Sequence, residues 1–213
     1  MENIKIKILG NEIELVRLTL RGWTGLEGLK QLMDDAISNK DTGKYFSFLV
    51  QFIEMASVPF SVDWNLVPWY EVLGAYSSAI TINSPSIEFP VLRNPDTREK
   101  KQPWEYDGRS WYFWLNLFAK HYGWDEKTIG ELDIDTAIGL YQETLIDEQF
   151  HKEWEWGINE IAYSYNTSTK KSEFKALPRP RWMLPLIPRQ LPRIKMRKDM
   201  MPVGNIVDMT NGS

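Results

Sequence analysis

Three side chains in the second half of the sequence have types and a spacing that could support chemistry. Asp147, His151 and Glu155 lie four residues apart, which places all three on one face of a helix. There the carboxylates can orient the imidazole or share a metal ion with it. The other interpretation is a solvated acidic stripe with Lys152 beside it. Because one helix supplies few ligands and no second cluster contains histidine, the sequence favours the stripe over a metal-dependent enzyme centred on His151.

Other signatures of enzymes are missing from the sequence. There is no phosphate-binding glycine loop, no His-Glu-x-x-His and no Gly-x-Ser-x-Gly. A cysteine count of 0 excludes a disulfide scaffold, a thiolate metal site and a cysteine nucleophile. Asp133 and Asp135 form a carboxylate pair that helix capping explains better. We therefore predict a protein that is not an enzyme, with no catalytic, cofactor-binding or metal-binding residues.

Charge divides the chain into two parts. The 213 residues carry a net charge of −4. Residues 170–198 hold 10 Lys and Arg against the single acid Glu173, a net charge of +9, which leaves −13 for the rest. Five of the 12 prolines lie in the same stretch. We therefore predict an acidic, aromatic-rich globular body over 1–169 and an extended, basic, proline-rich arm over 170–213.

The elements of the first half follow from residue patterns. Alternating isoleucines around Gly10 predict a β-hairpin within 3–20. Thr24 and Glu27 form a capping box that predicts a helix over 25–38. Further elements are a helix over 43–57 capped by Asp41, a short helix from Pro68 to Ala75, and either a strand pair or an ordered loop over 79–93.

Helices dominate the second half. Asp107 is a candidate cap for a helix that ends at Gly123 and that is apolar enough to be buried nearly all round. A short helix over 125–132 follows, and then a long one over 135–165 whose two apolar faces predict either a break near Asp147 or packing on two partners. The predicted fold class is α+β, predominantly helical.

The sequence also bears on the compartment. The first ten residues mix charged and apolar side chains, unlike a signal peptide. No stretch approaches the roughly 18 consecutive apolar residues that a transmembrane helix needs. We therefore expect a soluble, cytoplasmic protein without a membrane partner.

Aromatic residues are abundant, with 10 Trp, 9 Tyr and 9 Phe. Helical spacing predicts that Trp111 and Trp114 are core residues. The remaining candidates lie near prolines or among charges, where tryptophan is a plausible anchor for a partner. These candidates are Trp64, Trp69, Trp104, Trp154, Trp156 and Trp182.

The basic arm could bind nucleic acid, an acidic membrane or an acidic protein. Its prolines prevent a regular basic helix. Its apolar side chains contribute nothing to phosphate binding, so an acidic protein surface is favoured, with a nucleic-acid-binding connector as the alternative. The arm residues predicted to contact a partner are Arg179, Arg181, Trp182, Leu184, Leu186, Ile187, Arg189 and Arg193, with Trp154 and Trp156 in the body.

Residues 111–129 begin with Trp111-Tyr112-Phe113-Trp114-Leu115, include Tyr122-Gly123-Trp124 and are followed by residues 132–135. This pattern resembles the helical region of tailed-bacteriophage tail assembly proteins, either tail chaperones or small baseplate proteins. The resemblance covers mainly residues 104–165. It implies that the protein binds other proteins during tail assembly in the host cytoplasm, and that it is part of the virion tail if it stays in the particle. Partners would include the tape measure or tail tube protein, or a second copy through arm exchange; cofactors are not implied.

Overall fold

A computed structural model describes residues 3–93, 102–105, 109–158, 163–166, 168 and 170–188 of the chain. It confirms the predicted α+β, predominantly helical class with an N-terminal hairpin. Two short 3₁₀ helices, Trp64–Leu66 and Pro90–Arg93, interrupt the connections. The regular elements are β1 Ile4–Ile8, β2 Asn11–Leu15, α1 Leu20–Ser38, α2 Thr42–Met55, α3 Trp69–Ile82, α4 Ser110–Tyr122, α5 Glu126–Gly130, α6 Ile134–Ile158, β3 Tyr163–Asn166 and β4 Lys171–Phe174.

The N-terminal hairpin pairs β1 and β2 in antiparallel register, with Ile6 opposite Ile13. Leu9 and Gly10 form the turn, and both have positive φ angles of 48° and 79°. A two-residue turn of this kind matches the right-handed twist of the strands. Ile8, Ile13 and the end of β2 are buried against the helices, so the predicted hairpin is confirmed.

Helix α1 begins at Leu20, five residues before the predicted start. The capping box was wrong: the Thr24 hydroxyl donates to the carbonyl of Arg21 instead of capping the helix. The cause is tertiary, because the Leu20 amide donates to the Leu132 carbonyl at 2.6 Å and the Leu20 side chain is fully buried. Packing against the start of α6 therefore extends α1 by more than one turn at its N-terminal end.

Helices α2 and α3 complete the first half. Asp41 caps α2 by accepting from the Lys44 amide at 3.0 Å, as predicted. Helix α3 continues past Ala75 to Ile82, which excludes a strand pair from residue 79. Asn83 ends this helix, since its side-chain amide donates to the Ala79 and Val16 carbonyls. The ordered-loop alternative holds for the residues that follow.

Helix α4 carries the aromatic run. Trp114 and Phe118 are fully buried, and Gly123 ends the helix with a φ of 68° while its amide donates to the Ala119 carbonyl. The helix is not buried all round, because Tyr112 on its outer face is 68% exposed. The predicted cap Asp107 lies outside the described residues.

Helix α6 runs unbroken from Ile134 to Ile158, so the break near Asp147 is absent. It ends before the predicted residue 165, because 163–166 form β3. Its first half lies in the core through Ile134 and Ile138, whereas the apolar residues of its second half after Ile146 reach the surface.

Three clusters of buried side chains form the core. Two of them join the N-terminal hairpin to α1, α2 and α3. The third and largest joins α1, α4, α5 and α6, and it contains the tryptophans Trp23, Trp104, Trp114 and Trp182. Among the described residues, no helix combines the length and the apolar character needed to cross a membrane.

The C-terminal part starts with a second hairpin. Strands β3 and β4 pair in antiparallel register, with Asn166 opposite Lys171. This hairpin straddles residue 170, where the basic arm was predicted to begin. Residues 175–180 then return along α6 without regular structure, and residues 181–186 form consecutive turns.

Candidate functional site

The second half of α6 presents a row of large apolar side chains to solvent. Phe150, Trp154 and Ile158 follow one another at intervals of four and therefore share one face of the helix. Their exposed fractions are 39%, 62% and 63%. We call these three residues the α6 stripe.

One border of the α6 stripe is formed by the returning segment 175–188. Arg179 makes two hydrogen bonds to the Glu153 carboxylate, Nε at 2.5 Å and Nη2 at 2.7 Å. The same guanidinium lies 5.3 Å from the Phe150 ring centroid. Because its guanidinium donates hydrogen bonds to the Glu153 carboxylate, the pKa of Arg179 is raised. A bidentate pair of this kind fixes the segment against the helix.

Trp156, on the side of α6 that contacts the returning segment, also makes a hydrogen bond within the chain. Trp156 donates its indole N–H to the Lys175 carbonyl at 2.7 Å. Gln149 donates to the Pro178 carbonyl at 3.2 Å. Arg179 and Trp156, both predicted as partner contacts, therefore hold the returning segment in place.

The other border of the stripe is a groove of about 410 Å³ between α4 and α6. His151 pairs with Glu155 at 3.2 Å, and its ring stacks on Trp154 with centroids 6.1 Å apart. His121, from the end of α4, lies 3.5 Å from the carboxylate of Glu148. The groove is lined by His121, Tyr122, Thr144, Asp147, Glu148, His151, Lys152 and Glu155.

The groove brings both histidines of the chain together, which sequence spacing did not reveal. His121 and His151 are 30 residues apart and meet only because α4 packs beside α6. No group of three or more His, Asp or Glu side chains among the described residues is arranged to hold a metal ion. With three carboxylates and one lysine, the groove instead suits a cationic group.

A second exposed apolar surface lies at the start of α3. Its members Leu66, Trp69, Tyr70 and Leu73 are 68%, 48%, 73% and 39% exposed. The Trp69 ring stacks on Phe46 of α2, with centroids 5.8 Å apart and planes at 29°. We call Leu66, Trp69, Tyr70 and Leu73 the α3 patch. Trp69 was one of several interface candidates, whereas the three others were not singled out.

The prediction that Trp182 anchors a partner needs correction. Its side chain is 5% exposed and lies in the largest core cluster next to the fully buried Met183. Ile187 packs half-buried against the same cluster. Leu184, Leu186 and Arg181 are exposed, while Arg189 and Arg193 lie outside the described residues. Proline content and charge misled the prediction, since neither reports on burial.

A second concave feature, after the groove between α4 and α6, lies between α1 and the loop before α4. This cavity of about 290 Å³ contains Glu27, whose side chain is 12% exposed and pairs with Lys30 at 3.5 Å. Burial raises the pKa of Glu27, and the nearby Glu105 adds to the effect. The tryptophans beside it, Trp23 and Trp104, belong to the core. No local sequence pattern indicated that Glu27 is buried, because its burial depends on the loop before α4.

No protein-family model, curated protein or solved structure matches this chain.

Proposed function

We propose that this chain is a non-enzymatic structural or assembly protein that binds other proteins through the α3 patch. The observation that carries the proposal is the exposure of four large apolar side chains within eight residues. Stacking on Phe46 holds Trp69 in place before any partner arrives. Rigid aromatic side chains lose little entropy on binding, which is why they dominate protein interfaces.

The setting that we propose is a bacteriophage tail or baseplate. It rests on the resemblance of residues 111–135 to tail assembly proteins. It is in keeping with the order of an aromatic α4, a turn at Gly123, the short α5 and the long α6. The tail tube protein and the tape measure protein are then the partners to test. The protein would work in the host cytoplasm during assembly, and in the virion tail if it is retained.

The nucleic-acid-binding alternative finds less support. A connector would direct the arginines of the arm at phosphates, yet Arg179 is bound to Glu153 and approaches Phe150. Strong phosphate binding would also give an affinity that falls steeply with salt. The proposed contacts are mainly apolar and predict a weak salt dependence.

The test uses two exposed tyrosines as a matched pair. Tyr70 in the α3 patch is 73% exposed, and Tyr112 on α4 is 68% exposed. Each is replaced by serine in the full chain, which is then co-expressed with the tail tube and tape measure proteins of the same genome. We expect Tyr70→Ser to weaken co-purification about tenfold, the loss of a moderate hot spot. Tyr112→Ser should bind like the unmodified chain.

Two results would overturn the proposal. One is that neither tail protein binds the unmodified chain. The other is that Tyr70→Ser and Tyr112→Ser bind equally well, which would remove the α3 patch from the interface.

A further inference from the structure

We propose that the α6 stripe is the docking site for residues 189–203 of the same chain. The inference stands apart from the proposed function, because it concerns a different surface and the protein before any partner binds. It follows from where the described chain ends, from the charge of the groove and from the composition of the segment.

The described residues end beside the stripe. The Ile187 carbonyl accepts a hydrogen bond from Arg179 Nη1 at 3.0 Å, and the same guanidinium lies over Phe150. Pro188 is the last described residue, so the next segment starts next to the first member of the stripe. Phe150 and Ile158 are about 12 Å apart along the helix axis, and 15 residues span up to about 50 Å. The segment 189–203 is therefore long enough to cover the whole α6 stripe.

The composition of the segment matches the stripe and its border. Residues 189–203 carry five Lys or Arg and one Asp, a net charge of +4. The groove next to the stripe offers three carboxylates and one lysine. The apolar members of the segment fit the exposed Phe150, Trp154 and Ile158, and they are Leu191, Ile194, Met196, Met200, Met201 and Val203.

Apolar and charged contacts play different parts in this docking. Burial of Trp154 supplies most of the affinity, because it removes the largest exposed apolar side chain of the stripe from water. Ion pairs between the basic side chains of the segment and the carboxylates of Asp147 and Glu155 set the direction in which the segment runs along the groove. The short connection from Pro188 supplies a high effective concentration, so even weak contacts suffice.

The test observes Trp154 in the full chain. Labelling with 5-fluorotryptophan gives one fluorine resonance for each of the 10 Trp, and Trp154→Phe assigns the relevant one. The double variant Leu191→Ser/Ile194→Ser removes apolar contacts of the segment. Ile206→Ser/Val207→Ser removes the same type of side chain outside it and is the matched control.

We expect the first double variant to move the Trp154 resonance toward that of a solvent-exposed tryptophan, and the control to leave it in place. Raising NaCl from about 50 to about 500 mM should move it part of the way, since salt screens only the charged contacts. The resonance should not depend on protein concentration, and light scattering should report a monomer.

The proposal is wrong if the Trp154 resonance is the same in the unmodified chain and in Leu191→Ser/Ile194→Ser. It is also wrong if the shift appears only at high concentration together with a doubled mass, because the occupant would then be the segment of a second copy. Neither result bears on the binding of tail proteins through the α3 patch.

Discussion

Single residues connect parts of this chain that are far apart in sequence, and Arg17 is the clearest case. It follows the N-terminal hairpin, and its Nη1 donates to the Ile82 and Ser84 carbonyls after α3. Its Nη2 lies 3.0 Å from Asp135 at the start of α6. Asp135 also accepts from the Ser86 amide at 2.8 Å. One guanidinium therefore ties the hairpin and α3 to α6.

Arg17→Met should destabilise the protein by about 2–4 kcal/mol. The side chains of Arg17 and Asp135 are 13% and 15% exposed, and removing the cation leaves a poorly solvated carboxylate. Arg21→Met is the control, because Arg21 is 65% exposed in its pair with Glu126 and should cost about 0.5 kcal/mol. Urea unfolding measures both variants. A decrease in the free energy of unfolding of less than about 1 kcal/mol for Arg17→Met would contradict the role of Arg17 in connecting the hairpin and α3 to α6.

Glu27 makes stability depend on pH. Burial raises the pKa of Glu27 in the folded protein above its unfolded value, so the folded state binds its proton more tightly. The favourable contribution is complete below the unfolded pKa and is lost as pH rises through the folded pKa. Glu27→Gln should therefore be more stable than the unmodified chain at pH 7, with the advantage vanishing toward pH 4.

The measurement for Glu27 is the free energy of unfolding at several pH values. Glu131→Gln, at an exposed position, serves as the control for the loss of one carboxylate. Parallel profiles for Glu27→Gln and the unmodified chain would contradict the effect of burial.

At the scale of elements, helix boundaries set by a few adjacent residues were predictable, whereas boundaries set by tertiary contacts were not. Asp41 and Asp125 cap their helices with side-chain oxygens, and Gly123 adopts the left-handed conformation that ends α4. These features depend on a few adjacent residues, so the sequence was enough. The start of α1 depends on the contact between Leu20 and Leu132, which no local pattern encodes.

The candidate site divides in the same way. Spacing of four placed His151 and Glu155 on one face of a helix, and the structure agrees. The approach of His121 depends on how α4 packs against α6 and could not be predicted from spacing. Trp182 is buried in a core cluster whose other members come from distant parts of the chain, so composition alone misassigned it.

Helix α4 gives a prediction at this scale. Trp114→Ala should cost about 3–5 kcal/mol, because the fully buried indole leaves a large cavity in the core. Tyr112→Ala, two residues earlier on the outer face, should cost less than about 1 kcal/mol. Thermal and urea unfolding compare the two. Similar losses would mean that α4 has no distinct inner face.

For the whole molecule, the returning segment 175–188 closes the largest core cluster. Trp182→Ala should cost about 3–5 kcal/mol, as expected for a core tryptophan, although it was predicted as a partner anchor. Leu184→Ala, at 43% exposure, should cost less than about 1 kcal/mol. Urea unfolding of the isolated chain distinguishes the two roles. If Trp182→Ala unfolds like the unmodified chain, the segment does not close the core.

The same closure sets the order of events during synthesis. Leu20 and Trp23 belong to one core cluster with Trp182 and Met183, so the cluster cannot be completed until residue 183 has been made. Ribosomes add about 5–20 residues per second, so the earliest core residues wait about 8–33 s for their last neighbours. During that interval Trp23 and Trp114 lack part of their packing. The nascent chain therefore carries incompletely packed core tryptophans until the returning segment has been made.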